Sequence, residues 1–95
     1  TREEATATID AGLDLAAELA AGGTRLVGVG EMGIGNTTAA SALAAVLTGF
    51  PPDAVTGLGT GLDADGRRRK VEVIERAIAV NAPDPRDPVG VLAAV

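Results

Sequence analysis

A glycine-rich turn constrains this chain more than any other feature. The run Val29-Gly30-Glu31-Met32-Gly33-Ile34-Gly35-Asn36-Thr37-Thr38 lies between an apolar stretch, Arg25 to Val29, and an alanine-rich segment that continues to Leu47. This order predicts a strand that turns through glycines into the first turn of a helix. Glycines in such a turn leave several backbone N–H groups uncovered. The positive end of the helix dipole adds to them, and the anion most often held this way is a phosphate.

The remaining elements follow from caps and periodicity. Thr1 with Glu4 forms a capping box, and the helix it starts carries a stripe of Ala5, Ile9, Leu13, Ala16, Ala17 and Ala20, expected to be buried. Gly22-Gly23 ends that helix, and a strand is expected from Thr24 to Val29. The next helix runs from Thr37 to about Leu47, stopped by Gly49 and Pro51-Pro52. Residues 52–55 form a single helical turn. A second glycine loop, Thr56-Gly57-Leu58-Gly59-Thr60-Gly61-Leu62-Asp63, precedes a long helix from Asp63 or Asp65 to about Val80, with Val71, Ile74, Ala77 and Ile78 facing inward. Asp87-Pro88 caps and opens a last helix.

One strand makes no sheet. Its neighbours are expected outside these residues or in another copy of the chain. The fold class expected is therefore α/β: a fragment of a doubly wound α/β/α parallel-sheet domain, mostly helical within residues 1–95, which form a single incomplete domain. A first residue other than Met and a final apolar run, Val91 to Val95, agree with a piece cut from a longer protein.

Composition narrows the function. A net charge of −5 argues against a duplex nucleic acid partner, which would need a basic face. Arg67-Arg68-Arg69-Lys70 is the only basic cluster. Cysteine and histidine are both absent, which removes disulfides, thiolate metal sites and the commonest general base, so no metal is expected. No apolar run approaches the ~20 residues that cross a bilayer. A single Phe and no Trp or Tyr leave few bulky anchors for a core.

Generic glycine patterns explain the first turn poorly. Gly28 to Gly33 reads G-x-G-x-x-G, and Asp53 falls where a ribose-binding acid belongs. That acid should cap a second strand, which Pro51-Pro52 disfavours. Gly30 to Thr37 fits the phosphate loop of nucleotide hydrolases except at Asn36, where the pattern needs lysine. A turn serving packing alone would leave Glu31 and the polar trio Asn36-Thr37-Thr38 unexplained.

Taken together, the blocks Gly30 to Thr38, Gly59-Thr60-Gly61-Leu62-Asp63, Lys70 and Val73-Ile74-Glu75-Arg76-Ala77 resemble the nicotinate-nucleotide–dimethylbenzimidazole phosphoribosyltransferases, and Asp87-Pro88 with Val91-Leu92 continues the match. The resemblance spans nearly the whole chain but only a central portion of those enzymes. It implies transfer of ribosyl phosphate from nicotinate mononucleotide to a nitrogen of 5,6-dimethylbenzimidazole, with inversion at the anomeric carbon. The products are α-ribazole 5′-phosphate and nicotinate, on the cobalamin pathway. It further implies a parallel-sheet domain in a cytoplasmic homodimer with no cofactor.

Such a transfer passes through a cation-like anomeric carbon, so the phosphate and ribose must be held firmly. Gly33, Gly35 and the N–H groups near Asn36 and Thr37 can hold their oxygens, and Gly59, Thr60 and Gly61 can supply a second arc of donors. By the resemblance, Lys70 meets the phosphate; the alternative is a solvated basic face shared with Arg67 to Arg69. Glu31 is expected at ribose hydroxyls or near the base being alkylated, and Asp63 reads best as an N-cap. Leu58 departs from the more polar residue common in the family. The family's general base lies in a later segment absent here, so no catalytic residue is assigned and the chain alone is expected to be inactive or nearly so. A non-catalytic nucleotide- or phosphate-binding module, and a structural piece that self-associates through apolar helix faces, are the alternatives.

Overall fold

The computed structural model describes residues 1–95, and each of its helices starts or stops where the sequence supplies the chemistry. In α1 (Arg2–Ala21), the Thr1 hydroxyl oxygen accepts from the Glu4 amide at 3.3 Å, while the N-terminal ammonium donates to the Glu4 carboxylate at 2.7 Å. That ammonium, followed by the Thr1 hydroxyl, holds the Glu4 carboxyl below its ordinary value. Helix α2 (Thr37–Thr48) stops at Gly49, whose φ of 74° is left-handed. After the single turn α3 (Pro52–Val55), Asp63 caps α4 (Ala64–Asn81) by accepting from the Gly66 amide at 2.7 Å. Asp87 caps α5 (Pro88–Ala94), with proline at the first helical position.

Helix α2 packs on α4, with α3 wedged beside both, and α5 touches α2 while holding α1. The core is thin. Ala42 and Ala45 of α2 and Val71 and Ile74 of α4 are buried where these helices pack, and Val91 of α5 is fully enclosed. Polar ties supplement it. The Ser41 hydroxyl donates to the Val55 carbonyl at 3.2 Å, and the buried Thr56 hydroxyl donates to the Pro52 carbonyl at 2.7 Å. Arg67 reaches back from α4, its Nε donating to the Thr56 carbonyl at 2.8 Å and its other nitrogens to the carbonyl and carboxylate of Asp53. At the other end, Arg2 makes a two-point pair with Asp87, at 2.6 and 3.0 Å, tying α1 to α5.

Two expectations fail. Residues 24–29 form no strand, and Leu26 and Val29 stand 90% and 95% exposed. A strand exists through its ladder, and no other segment of this chain offers one. The apolar stripe of α1 is likewise uncovered: Ala5 alone is buried, while Ile9 and Leu13 are exposed. Among the helices α1 packs chiefly on α5, too short to cover it. The shape reflects this. The radius of gyration is 15.4 Å, against about 12 Å for a compact chain of this length. The accessible surface is 6683 Å², against about 5,000 Å² for a compact monomer of 9.4 kDa. No helix is long and apolar enough to cross a membrane.

Candidate functional site

The site is built around the start of α2. Asn36 occupies the N-cap position without a side-chain cap bond, and the first backbone donation after it is from Ala40 to the Asn36 carbonyl at 3.1 Å. The N–H groups of Thr37, Thr38 and Ala39 therefore have no partner in the chain. A helix start normally satisfies these groups with a side chain, water or a ligand.

The second glycine loop folds against the first. The Thr60 hydroxyl donates to the Gly33 carbonyl at 3.1 Å, joining two loops that are far apart in sequence. Gly59, at a φ of 64°, brings bare backbone to the wall of the site. A Cβ there would stand 3.6 Å from the Thr37 hydroxyl oxygen and 3.8 Å from the Lys70 ammonium. Gly33, at a φ of 75°, does the same from the first loop. Both conformations are ones that residues with a Cβ adopt only under strain.

Helix α4 supplies the charge. Arg67, Lys70, Val71 and Ile74 recur at helical spacing on the face turned toward α2 and α3. Lys70 is consequently 9% exposed rather than part of a solvated run. Its ammonium donates to the Thr37 hydroxyl oxygen at 2.6 Å. The ion pairs of the chain join Arg2 to Asp87, Arg67 to Asp53, Arg68 to Asp65, Arg86 to Asp84 and the N-terminus to Glu4. None of them includes Lys70. An ammonium buried beside a neutral hydroxyl, with no carboxylate within ion-pair distance, is an electrostatically unfinished arrangement.

Lys70, Thr37 and Gly59 form a partition between two cavities. The first, of ≈ 250 Å³, is also lined by Gly33, Gly35, Thr38, Thr60 and the apolar side chains of Ile34, Leu58 and Leu62. The second, of ≈ 220 Å³, is lined by Glu31, Gly57, Val55 and the small-residue face of α2 formed by Ala40, Ser41 and Ala44. Six residues expected from the sequence, Gly33, Gly35, Thr37, Gly59, Thr60 and Lys70, thus line one cavity, and Glu31 lines its neighbour. Asn36 lines neither; its side-chain amide donates to the Glu31 carboxylate. Gly61 also lies outside both. Thr38, noted from the sequence only as one of a polar trio, lines the first cavity, and Ser41 lines the second without having been singled out. Their spacing from Thr37, in a helix of small residues, is the signal that could have found Ser41. No group of His, Cys, Asp or Glu side chains converges as metal ligands.

Chemically, the first cavity can take an anion. It offers a fixed cation and unpartnered N–H groups at the positive end of a helix dipole, walled by glycines that let a ligand approach the backbone.

The chain matches the model of the family described as Phosphoribosyltransferase over residues 1–95. It is 53% identical, over all its 95 residues, to a nicotinate-nucleotide–dimethylbenzimidazole phosphoribosyltransferase of Geobacter sulfurreducens. It is 45% identical over 95 residues to the protein of that name from Clostridium acetobutylicum, and 54% over a 96-residue alignment to that from Desulforudis audaxviator. In each case it spans 27% of the relative's length. No solved structure matches the chain.

Proposed function

The chain belongs to the phosphoribosyltransferase family, and from that premise we propose that it forms the ribose 5′-phosphate-holding wall of an enzyme of the nicotinate-nucleotide–dimethylbenzimidazole type. The reaction moves ribosyl phosphate from nicotinate mononucleotide to 5,6-dimethylbenzimidazole, giving α-ribazole 5′-phosphate and nicotinate. The observation that carries the reading is Lys70, buried without a counter-ion beside the three free N–H groups of α2. A nucleotide phosphate is the group that would complete this arrangement. In this assignment Gly33, Gly35 and Gly59 let it approach the backbone, with the amide groups of Thr37 and its neighbours as donors. Gly61 and the side chain of Asn36 act one step back, at the loop ends and on Glu31.

Holding the phosphate fixes the anomeric carbon relative to the incoming nitrogen, which is the service a ribosyl transfer most needs from its protein. Glu31, in the neighbouring cavity, is assigned to ribose hydroxyls or to the edge of the accepting base. No residue of this chain is assigned as the general base. As part of the same reading, residues 24–29 contribute a strand to a doubly wound parallel sheet. The protein acts as a cytoplasmic homodimer, and the bare flank of α1 is among the surfaces that further protein covers.

Calorimetry with nicotinate mononucleotide tests the reading. The chain is expected to bind it without turning it over. Lys70→Met should weaken binding about 10- to 150-fold, the loss of one hydrogen bond from a charged donor. A wild-type chain that binds neither this nucleotide nor inorganic phosphate would sink the proposal.

A further inference from the structure

We propose that Thr37 is a positioning residue for Lys70, its oxygen fixing the ammonium in the partition between the cavities while its hydroxyl hydrogen points at the bound anion. This role presupposes the anion site proposed above and assigns the side chain of Thr37 a task distinct from that of its backbone.

The argument is one of hydrogen-bond accounting. An oxygen that accepts from an ammonium keeps its own hydrogen to donate. Elsewhere in this chain, helical threonines give that hydrogen to the carbonyl four residues back: Thr6 to Arg2, Thr8 to Glu4 and Thr48 to Ala44. Thr37 is the first residue of α2, so the carbonyl four residues back, that of Gly33, lies in the loop ahead of the helix, where it accepts from the Thr60 hydroxyl. Thr37 makes no such donation, and no other acceptor in the chain takes its hydrogen. Thr37 lines both cavities, and its hydrogen has no partner in the chain, so it is available to a guest. Its place at the first helical position thus leaves this threonine's hydrogen without the acceptor that the other helical threonines use. Lys70 in turn keeps two of its three N–H groups for the cavities.

Lys70 is the sole lysine of the chain, so labelling with 15N-lysine gives a single side-chain ammonium resonance. The test follows that resonance and phosphate affinity in the full chain, using inorganic phosphate as the probe. In the wild type the resonance should shift on titration. Thr37→Val, which keeps the shape and removes the oxygen, should weaken phosphate binding at least about tenfold and broaden the resonance through faster proton exchange. Thr37→Ser should return affinity to within about threefold of wild type, a rescue that a purely structural role of the methyl group would not produce. If circular dichroism shows the Val variant unfolded, Thr37→Ala is read by the same criteria. A folded variant lacking the oxygen, with wild-type affinity and an unchanged resonance, refutes the role of Thr37 and leaves the anion site standing. A wild-type chain whose Lys70 resonance ignores phosphate refutes both.

Discussion

Replacing Arg67 with methionine should unfold the chain's second half more readily than its single visible ion pair suggests. The ion pair with Asp53 is between side chains 31% and 72% exposed, a setting worth at most about 1 kcal/mol. The other bonds differ in kind. The Nε group meets the carbonyl of the buried Thr56, and a terminal nitrogen meets the Asp53 carbonyl at the edge of α3. A hydrogen bond from a charged donor contributes roughly 1.5–3 kcal/mol, and its loss leaves a half-buried carbonyl unsatisfied. Arg67→Met is therefore expected to cost about 2–4 kcal/mol, whereas Asp53→Asn, which removes only the charge pairing, should cost less than about 1 kcal/mol. Urea titration of both variants and of the double variant reads the difference, with midpoints compared at constant slope. The second glycine loop leaves α3 at Thr56, so the loss should also weaken phosphate binding at Lys70, one turn further along α4. Equal costs for the two substitutions would show that Arg67 acts only as a surface charge, and the reasoning would fail.

Gly59→Ala forces a left-handed backbone on a residue with a Cβ and should destabilise the chain by about 1–2 kcal/mol by thermal unfolding. It should also reduce phosphate affinity, because the new methyl group would stand against Thr37 and Lys70. At the far end, the Arg2 guanidinium and then the Gly90 amide hold the Asp87 carboxyl below its ordinary value. A depressed folded value contributes stability that is fully present above the unfolded carboxylate range, near about 3.9, and is lost as pH falls through the folded value. Protection factors for amide exchange in α1 and α5 should therefore fall in acid before those of α2 and α4. Asp87→Asn, which keeps an N-cap, should reduce this difference.

The helix ends are legible in the sequence because they depend on residues within a few positions of one another. Thr1 with Glu4, Gly49, Asp63 and Asp87-Pro88 each carry their own geometry. The glycines and Lys70 are legible as a group because the two loops and the lysine carry a family pattern. The segment 24–29 is misread because its apolar run is a necessary condition for a strand, and the pairing partner that completes one lies outside the local sequence. The stripe on α1 fails for the same reason: periodicity names the face to be covered and says nothing of the cover. The inward turn of Arg67 and Lys70, as distinct from the family match of Lys70, is hidden by their neighbours Arg68 and Arg69. A run of four basic residues looks uniform, although helical spacing turns the first and last of them inward with Val71 and Ile74.

The shared wall between the two cavities carries an electroneutrality rule. One fixed positive charge can balance one anion, and once it does so the neighbouring chamber faces only the negative charge of Glu31. A second anion placed in that chamber would meet Glu31 with no free cation beside it. The sharing of a single side chain thus makes the two chambers electrostatically unequal.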